Sequence, residues 1–289
     1  MNTREELAGF KPRREFFIGI DSDGTAFDSM NIKHLKAFIP AALEVWDFGN
    51  AACEFSRIME QVNLYSESRG CNRFTGLLSA FEMLENKAGG EHIFNTAPLK
   101  EFTKKSNVLS NSALTAWMKE NPASFLDEVY RWSLEADRLF EEHTRGLLPF
   151  ANVEPTIKLM AENADIMVIS SASGKGLDKD WKYSGLIKYT ALIAGQELGS
   201  KKDQLSLGSS GKYPPEKVMM IGDAPGDLEA ASAVGASFYP IFPGKEEESW
   251  LCLQKEGLQR FFAGSYRGDY EERLIAEFRK CLESSGESN

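Results

Sequence analysis

Five short apolar runs along the chain have the length and composition of buried β-strands, and four of them lie in its second half. Segments with the spacing of amphipathic helices separate the later runs. The predicted strands are residues 16–20, 166–169, 190–194, 218–221 and 238–241, and the predicted helices between them are residues 154–163, 201–207 and 227–234. Because strands that alternate with helices form parallel sheets, this order predicts an α/β fold with a doubly wound parallel sheet.

About 145 residues separate the first predicted strand from the second, and this interval carries no comparable strand pattern. Its apolar residues recur at helical spacing over 32–46, over 74–84 and between Pro122 and Gly146, while the polar stretch 86–111 predicts loops. A long insert with its own apolar positions indicates a separate domain. The predicted boundaries are residues 1–30 with 147–289 for the α/β domain, and residues 31–146 for an inserted α-helical domain.

Charge and composition narrow the possible partners. The 289-residue chain is 42% hydrophobic and has a formal net charge of −10. Nucleic-acid-binding proteins ordinarily show a basic face, so we expect no nucleic-acid partner. No run reaches the roughly 18 apolar residues of a membrane span, and residues 1–17 lack the apolar core of a signal peptide, so we expect a cytoplasmic protein without a membrane partner. The four cysteines form no CxxC pair, and we expect neither a zinc site nor a disulfide framework.

The first predicted strand leads directly into Asp21-Ser22-Asp23-Gly24-Thr25. Ligands of open α/β sheets bind beyond the carboxyl ends of the strands, where these carboxylates emerge. Alternate residues of an extended segment point the same way, so Asp21 and Asp23 can converge, one as an ionised nucleophile and one as a proton carrier. An ordinary Asp-Gly turn accounts for the same residues without any chemistry.

A second acidic motif, Gly-Asp-Ala-Pro-Gly-Asp at residues 222–227, follows the fourth predicted strand. Asp223 stands at the strand tip and offers an oxygen ligand of the kind that Mg²⁺ prefers. Asp227 lies four residues further on. It either supports a metal site or stabilises the N-terminus of the following helix.

Two weaker signals lie between the acidic motifs. The second predicted strand ends in a hydroxyl-rich loop that begins with Ser170 and Ser171, and hydroxyl and backbone N–H groups suit phosphoryl oxygens. Lys201 and Lys202 open the next predicted helix, where a lysine can neutralise the charge of a transferring phosphoryl group. Serines in loops and solvated lysine pairs are also common without such roles.

In chain order these segments resemble the motifs of the haloacid dehalogenase (HAD) superfamily: DxDGT after the first strand, Ser or Thr after the second, a Lys, and GDxxxD. The resemblance covers the α/β domain and implies a Rossmann-like HAD core. The insert between the first two motifs resembles the C1 cap of the family, a helical lid that excludes water and selects the substrate.

By this resemblance Asp21 is the nucleophile and Asp23 is the general acid and base. Phosphate is bound by Ser170, with Ser171 beside it, and by Lys201, which is preferred over Lys202 because the apolar residue Leu205 then falls on the helix position that the family uses. Mg²⁺ is held by Asp21, by Asp23 through its backbone carbonyl, and by Asp223, with Asp227 close to the metal.

The resemblance implies a Mg²⁺-dependent phosphatase that hydrolyses a small phosphorylated metabolite, a phosphomonoester, through an aspartyl-phosphate on Asp21. A phosphomutase of the same superfamily would carry the same motifs, and a non-catalytic phospho-acceptor or partner-binding protein would keep the fold. A dehalogenase is disfavoured, because a departing halide needs no proton and would leave Asp23 without its main task.

In the insert, Arg69 and Arg73 flank Gly70 just before a predicted helix. They either clamp a carboxylate or second phosphate of the substrate or are surface charges at a helix entry.

Overall fold

The computed structural model describes residues 2–87 and 94–284 and contains a five-stranded parallel sheet. The strands are β1 (Phe16–Ile20), β2 (Ala164–Ile169), β3 (Leu192–Ala194), β4 (Val218–Gly222) and β5 (Ser237–Pro240). They lie in the order β3-β2-β1-β4-β5, and each neighbouring pair is parallel. The predicted fold class, a doubly wound parallel α/β sheet, is therefore confirmed.

Strand β1 lies in the middle of the sheet, between β2 and β4. The chain adds β2 and β3 on one side of β1 and then β4 and β5 on the other, so the winding reverses beside β1. The crevice beyond the carboxyl ends of the strands at such a reversal is where open α/β sheets bind ligands.

The helices follow in chain order. They are α1 (Arg4–Gly9), α2 (Ser29–Asn31), α3 (Ile39–Val45), α4 (Ala52–Leu64), α5 (Arg73–Lys87), α6 (Ala97–Lys105), α7 (Asn111–Glu120), α8 (Ser124–His143), α9 (Val153–Asn163), α10 (Gly174–Tyr183), α11 (Lys201–Ser209), α12 (Pro225–Val234), α13 (Glu246–Cys252), α14 (Leu258–Phe262) and α15 (Asp269–Ser284). The π-helical segments Ile32–Phe38 and Leu253–Gly257 precede α3 and α14. Within the described part of the chain, none of these helices is both long and apolar enough to cross a membrane.

Helices cover both faces of the sheet, which explains why the strands are continuous apolar runs. Phe16, Ile18 and Ile20 of β1 face one hydrophobic cluster, to which α9, α10, α13 and α14 contribute. Phe17 points to the opposite cluster, which contains side chains of α1, α11, α12 and α15. Successive side chains of a strand point to opposite faces, so both faces of β1 are buried.

The described residues form two compact units. One combines the chain up to Ser29 with Gly146–Ser284 and contains the sheet; the other is Met30–Arg145 and is helical. The helical unit has its own apolar core, rich in aromatic side chains such as Trp46, Phe81 and Trp132. An insert of this kind is stabilised by its own buried surface.

Three local predictions need correction. The polar stretch 86–111, read as loops, contains the amphipathic helix α6, which buries Leu99 and Phe102; residues 88–93 of that stretch lie outside the described part of the chain. The long helix α8 begins at Ser124 rather than at Pro122. Helix α10 was not predicted, because two glycines and five charged residues obscure the pattern formed by its buried Leu177 and Trp181.

Candidate active site

Three acidic side chains meet beyond the carboxyl ends of β1 and β4. Asp21 directly follows β1, Asp223 directly follows β4, and Asp227 lies in the first turn of α12. A carboxylate oxygen of each lies within 4.8 Å of the others. The three residues are 3%, 1% and 0% exposed, respectively. Since β1 and β4 are parallel neighbours, their ends bring together acids that are about 200 residues apart in sequence.

Lys201 inserts its ammonium group among these acids. Its Nζ lies 2.9 Å from Asp21 Oδ2 and 2.7 Å from Asp227 Oδ1. Lys201 is the first residue of α11, whose start is fixed by a capping box: the Ser200 Oγ accepts from the Asp203 N–H, and the Asp203 carboxylate accepts from the Ser200 N–H. Lys202 is exposed, so Lys201 is the member of the pair that joins the cluster.

Burial and mutual repulsion set the electrostatics of the cluster. Burial raises the pKa of Asp21 well above its usual value, Lys201 works against this shift, and Asp227 and Asp223 add to it. Burial likewise raises the pKa of Asp227. Burial alone would lower the pKa of Lys201, but the carboxylates of Asp21, Asp227 and Asp223 outweigh it and raise that pKa above its usual range. The cluster therefore holds more buried negative charge than one lysine balances.

The donor set fits a hard divalent cation. The three carboxylates supply the oxygen ligands that such cations prefer. Asp21 Oδ1 is buried and has no hydrogen-bond partner within the part of the chain that the structure describes. A buried carboxylate oxygen left in this way is costly unless an electrophilic or positively charged group faces it. A cation bound by these residues would supply that positive charge.

Asp227 both caps α12 and belongs to the acidic cluster. Its Oδ2 accepts the Ala224 N–H at 3.1 Å, which stabilises the start of α12, while its Oδ1 accepts from Lys201. The carboxylate lies directly over Gly222: an ideal Cβ on Gly222 would stand 2.2 Å from Asp227 Cγ. Position 222 therefore requires glycine, because a side chain there would collide with the Asp227 carboxylate.

Gly222→Ala is expected to displace the Asp227 carboxylate and to destabilise the fold by about 2 kcal/mol, the usual scale of overpacking in a closed site. Urea denaturation would measure the loss. Gly226→Ala is the matched control, because a Cβ there meets nothing within 4 Å, and it should leave the free energy of unfolding nearly unchanged. Equal stability of the two variants would contradict the close packing of Asp227 on Gly222.

The Asp23 side chain lies apart from the three-carboxylate cluster. It is half-buried and accepts a hydrogen bond from Ser29 Oγ at 2.6 Å. Gly24 has φ 75°, a left-handed conformation that glycine adopts without strain, and it turns the chain away from the sheet. Asp23 therefore lies at the turn and is more open to solvent than Asp21.

Buried side chains fasten the loop that follows β1. Thr25 Oγ1 donates to Asp223 Oδ1 at 2.6 Å and so links the two acidic motifs. The indole N–H of Trp181 in α10 donates to Ser22 Oγ at 3.0 Å, and that of Trp250 in α13 donates to the Thr25 carbonyl at 2.8 Å. Sequence patterns did not single out either tryptophan, because the hydrogen-bond partner of each is distant in sequence.

Ser170 is buried directly after β2, and its Oγ accepts the Ala172 N–H at 3.1 Å. Ser171 is exposed in the loop between β2 and α10. Because β1 and β2 are parallel neighbours, Ser170 lies at the same edge of the sheet as the acids. The predicted phosphate ligands Ser170 and Lys201 are thus both placed at the carboxyl edge.

Arg69 and Arg73 both have hydrogen-bond partners within the helical unit. Arg69 is buried and its Nη1 donates to the Leu64 carbonyl at 2.7 Å. Arg73 Nη1 donates to Asp137 Oδ1 at 2.6 Å and to Ser133 Oγ at 3.0 Å. Arg69 is therefore not a surface charge, whereas Arg73 is partly exposed and forms an ion pair at the start of α5.

Comparison with known proteins gave matches among solved structures alone. No protein-family model matches the sequence, and a search of curated proteins gave no match. A haloacid dehalogenase-like hydrolase from Xanthomonas campestris is 14% identical, with a TM-score of 0.43, over 87% of this chain and 97% of that one. A predicted phosphoglycolate phosphatase from Haemophilus somnus 129PT is 15% identical, with a TM-score of 0.45, over 79% and 86%. An L-2-haloacid dehalogenase is 12% identical, with a TM-score of 0.41, over 79% and 86%.

A fold does not by itself indicate an activity, so the function must be inferred from the side chains of the site. The architecture is visible in this chain itself: a parallel sheet with β1 in the middle, a helical insert between β1 and β2, and four motif segments that follow β1, β2, β3 and β4. These are the features that the sequence resemblance implied. The chain has a doubly wound parallel α/β fold with a helical insert between β1 and β2.

Proposed function

We propose that this chain is a member of the HAD superfamily and a Mg²⁺-dependent phosphatase that hydrolyses a small phosphomonoester. The proposal is carried by one observation, the buried cluster in which Lys201 lies 2.9 Å from Asp21 and 2.7 Å from Asp227, with Asp223 beside them. The proposed activity is argued from the charges of this cluster and from the charge of the group that would bind there.

A phosphoryl group would be repelled by three carboxylates on their own. Lys201 provides one positive charge at the cluster, on the side shared by Asp21 and Asp227. Mg²⁺, when bound to the oxygens of Asp21, Asp223 and Asp227, would neutralise further charge and polarise the phosphoryl oxygens. The same excess of carboxylates gives no advantage to the displacement of a halide.

Asp21 is placed to act as the nucleophile. Lys201 holds its Oδ2, while its Oδ1 carries no hydrogen bond from the described residues. In-line attack by the Asp21 carboxylate forms a bond to phosphorus and breaks the ester bond. The electron pair leaves on the alcohol oxygen, and the product on the protein is an acyl phosphate.

Asp23 exchanges a proton first with the departing alcohol and then with the attacking water. Its half-buried carboxyl, fixed by Ser29 Oγ at 2.6 Å, gives a proton to the leaving oxygen. As a carboxylate it then takes a proton from the water that attacks the acyl phosphate. This step restores Asp21 and releases inorganic phosphate, while Ser170 and Lys201 bind the phosphoryl oxygens throughout.

The test is inorganic phosphate release from a broad panel of phosphomonoesters, measured with Mg²⁺ and with EDTA. We expect release from at least one ester with Mg²⁺, its loss in EDTA, and its recovery when Mg²⁺ is returned in excess. A folded protein that releases no phosphate from any ester with Mg²⁺ present would refute the phosphatase. Conversion of one sugar phosphate into its isomer with little free phosphate would identify a phosphomutase instead.

A further inference from the structure

Gln204 is a buried amide on the same helix as Lys201, three residues further along α11. Its Oε1 accepts the Ser170 N–H at 3.1 Å. Its Nε2 contacts three backbone carbonyls, those of Ser170 at 3.0 Å, Gly195 at 3.1 Å and Gly199 at 3.0 Å. Both ends of the amide are therefore used, and the two N–H groups of Nε2 are shared among three acceptors.

These bonds join three separate segments of the chain. Ser170 follows β2, Gly195 follows β3, and Gly199 directly precedes Ser200, the residue that caps α11. The segments belong to two strand ends and the start of a helix, and the amide of Gln204 is hydrogen-bonded to all three. Breaking a buried hydrogen bond of this kind costs more free energy than breaking an exposed one, because no water replaces the lost partner.

We infer that Gln204 is a positioning residue for the phosphate-binding side chains Ser170 and Lys201. All four of its hydrogen bonds end on backbone atoms, so it acts through the loops that carry those side chains. It fixes the Ser170 backbone from both its N–H and its carbonyl and ties that backbone to the helix that bears Lys201. The effect of Gln204 on the reaction rate rests on the proposed function. Its effect on the position of the loops rests on the geometry alone.

The first test compares Gln204→Met with Leu205→Ala. Methionine keeps the length and bulk of the side chain but removes the amide. Leu205 is the neighbouring buried residue of α11 and packs in the apolar cluster, and its side chain has no hydrogen-bonding group, so Leu205→Ala controls for loss of stability. Both are measured well below their melting temperatures.

We expect Gln204→Met to lower kcat by about 10- to 100-fold with a smaller change in KM, because small displacements of positioned groups cost rate. Leu205→Ala should lose a similar or larger amount in melting temperature and keep kcat within about threefold. The inference is overturned if Gln204→Met keeps the wild-type kcat, or if Leu205→Ala loses as much rate as Gln204→Met.

A second measurement needs no substrate and separates this inference from the proposed function. Hydrogen exchange followed by mass spectrometry reports the peptides that contain residues 170–174 and 195–200. Exchange there should rise in Gln204→Met and remain near wild type in Leu205→Ala, even if no ester is hydrolysed. Equal exchange of these peptides in both variants would remove the structural basis of the inference.

Gln204→Asn serves if Gln204→Met does not fold. Asparagine keeps an uncharged amide, but its side chain is one methylene shorter, so the amide lies further from the three segments. The same increase in exchange and the same fall in kcat are expected, and wild-type values for both would overturn the inference.

Discussion

Asp21→Asn is expected to abolish phosphate release while leaving the protein folded. The amide cannot attack phosphorus, so turnover should fall by about 10⁴-fold or more, as is usual for loss of a nucleophile. The fold should not suffer, since burial penalises the charged form of Asp21 and raises its pKa. In EDTA the variant should therefore melt at or above the temperature of the wild type.

Phosphate release and thermal denaturation of the two proteins in parallel check this prediction. Asp178→Asn is the control for the chemical change, because Asp178 forms a surface ion pair with Lys182 on α10. Its activity should match the wild type. Retained turnover in Asp21→Asn would show that another group attacks the phosphorus, whereas a lower melting temperature in EDTA would contradict the excess of buried negative charge.

Lys201→Met is expected to reduce phosphate release by about 10³-fold, because the transferring phosphoryl group loses a buried cation. Removing one partner of a buried ion cluster also costs about 3 kcal/mol in the free energy of unfolding. Lys201 contacts both Asp21 and Asp227, so its loss leaves two carboxylates without this counter-charge. Added Mg²⁺ should recover part of the lost stability, since it would bind the more negative cluster tightly.

Lys202→Met is the matched control, because Lys202 is the adjacent residue of the same helix turn and is exposed. Urea denaturation of both variants, in EDTA and in Mg²⁺, gives the stabilities, and phosphate release gives the rates. Lys202→Met should resemble the wild type in both. If Lys201→Met and Lys202→Met had the same stability and the same rate of phosphate release, Lys201 would have no special role in the cluster.

The strands were predicted well because both faces of the sheet are covered. Every residue of β1 is buried, so the strand is a run of large apolar residues with one glycine, a pattern that stands out in any sequence. Gly19 breaks that run for a reason visible in the structure alone. A Cβ at Gly19 would meet Ile169 Cδ1 at 2.7 Å and Leu205 Cδ1 at 3.2 Å, because α11 packs closely on the sheet.

The helical insert was harder to predict. Helix α6 buries two residues, Leu99 and Phe102, and its other positions are polar, small or proline, so its sequence resembles a loop. A short helix with one narrow apolar face is stabilised mainly by tertiary packing, and sequence periodicity is then weak. The phenylalanine packs against Phe74 of α5, a contact between residues far apart in the chain.

For the site, the sequence identified the residue types, and the fold resolved which of them meet. Because acids follow two of the predicted strands, the sequence implied that these acids lie at the same edge of the sheet. The pairing of β1 with β4 brings Asp21 and Asp223 together there. Side-chain direction decided that Lys201 rather than Lys202 joins the cluster, and that Asp227 contacts both Lys201 and the start of α12. That direction is set by how α11 and α12 dock on the sheet.

The sequence by itself determined the α/β class, the inserted helical segment and the acidic motifs at the strand ends, because buried strands and chemical groups leave local patterns. Tertiary structure alone decided that Gln204, Trp181 and Trp250 hold the loops of the site. Each of these residues occupies an ordinary helix position, and its role arises from a hydrogen bond to a partner distant in sequence. Such bonds follow from the packing of complete elements, which no local pattern encodes.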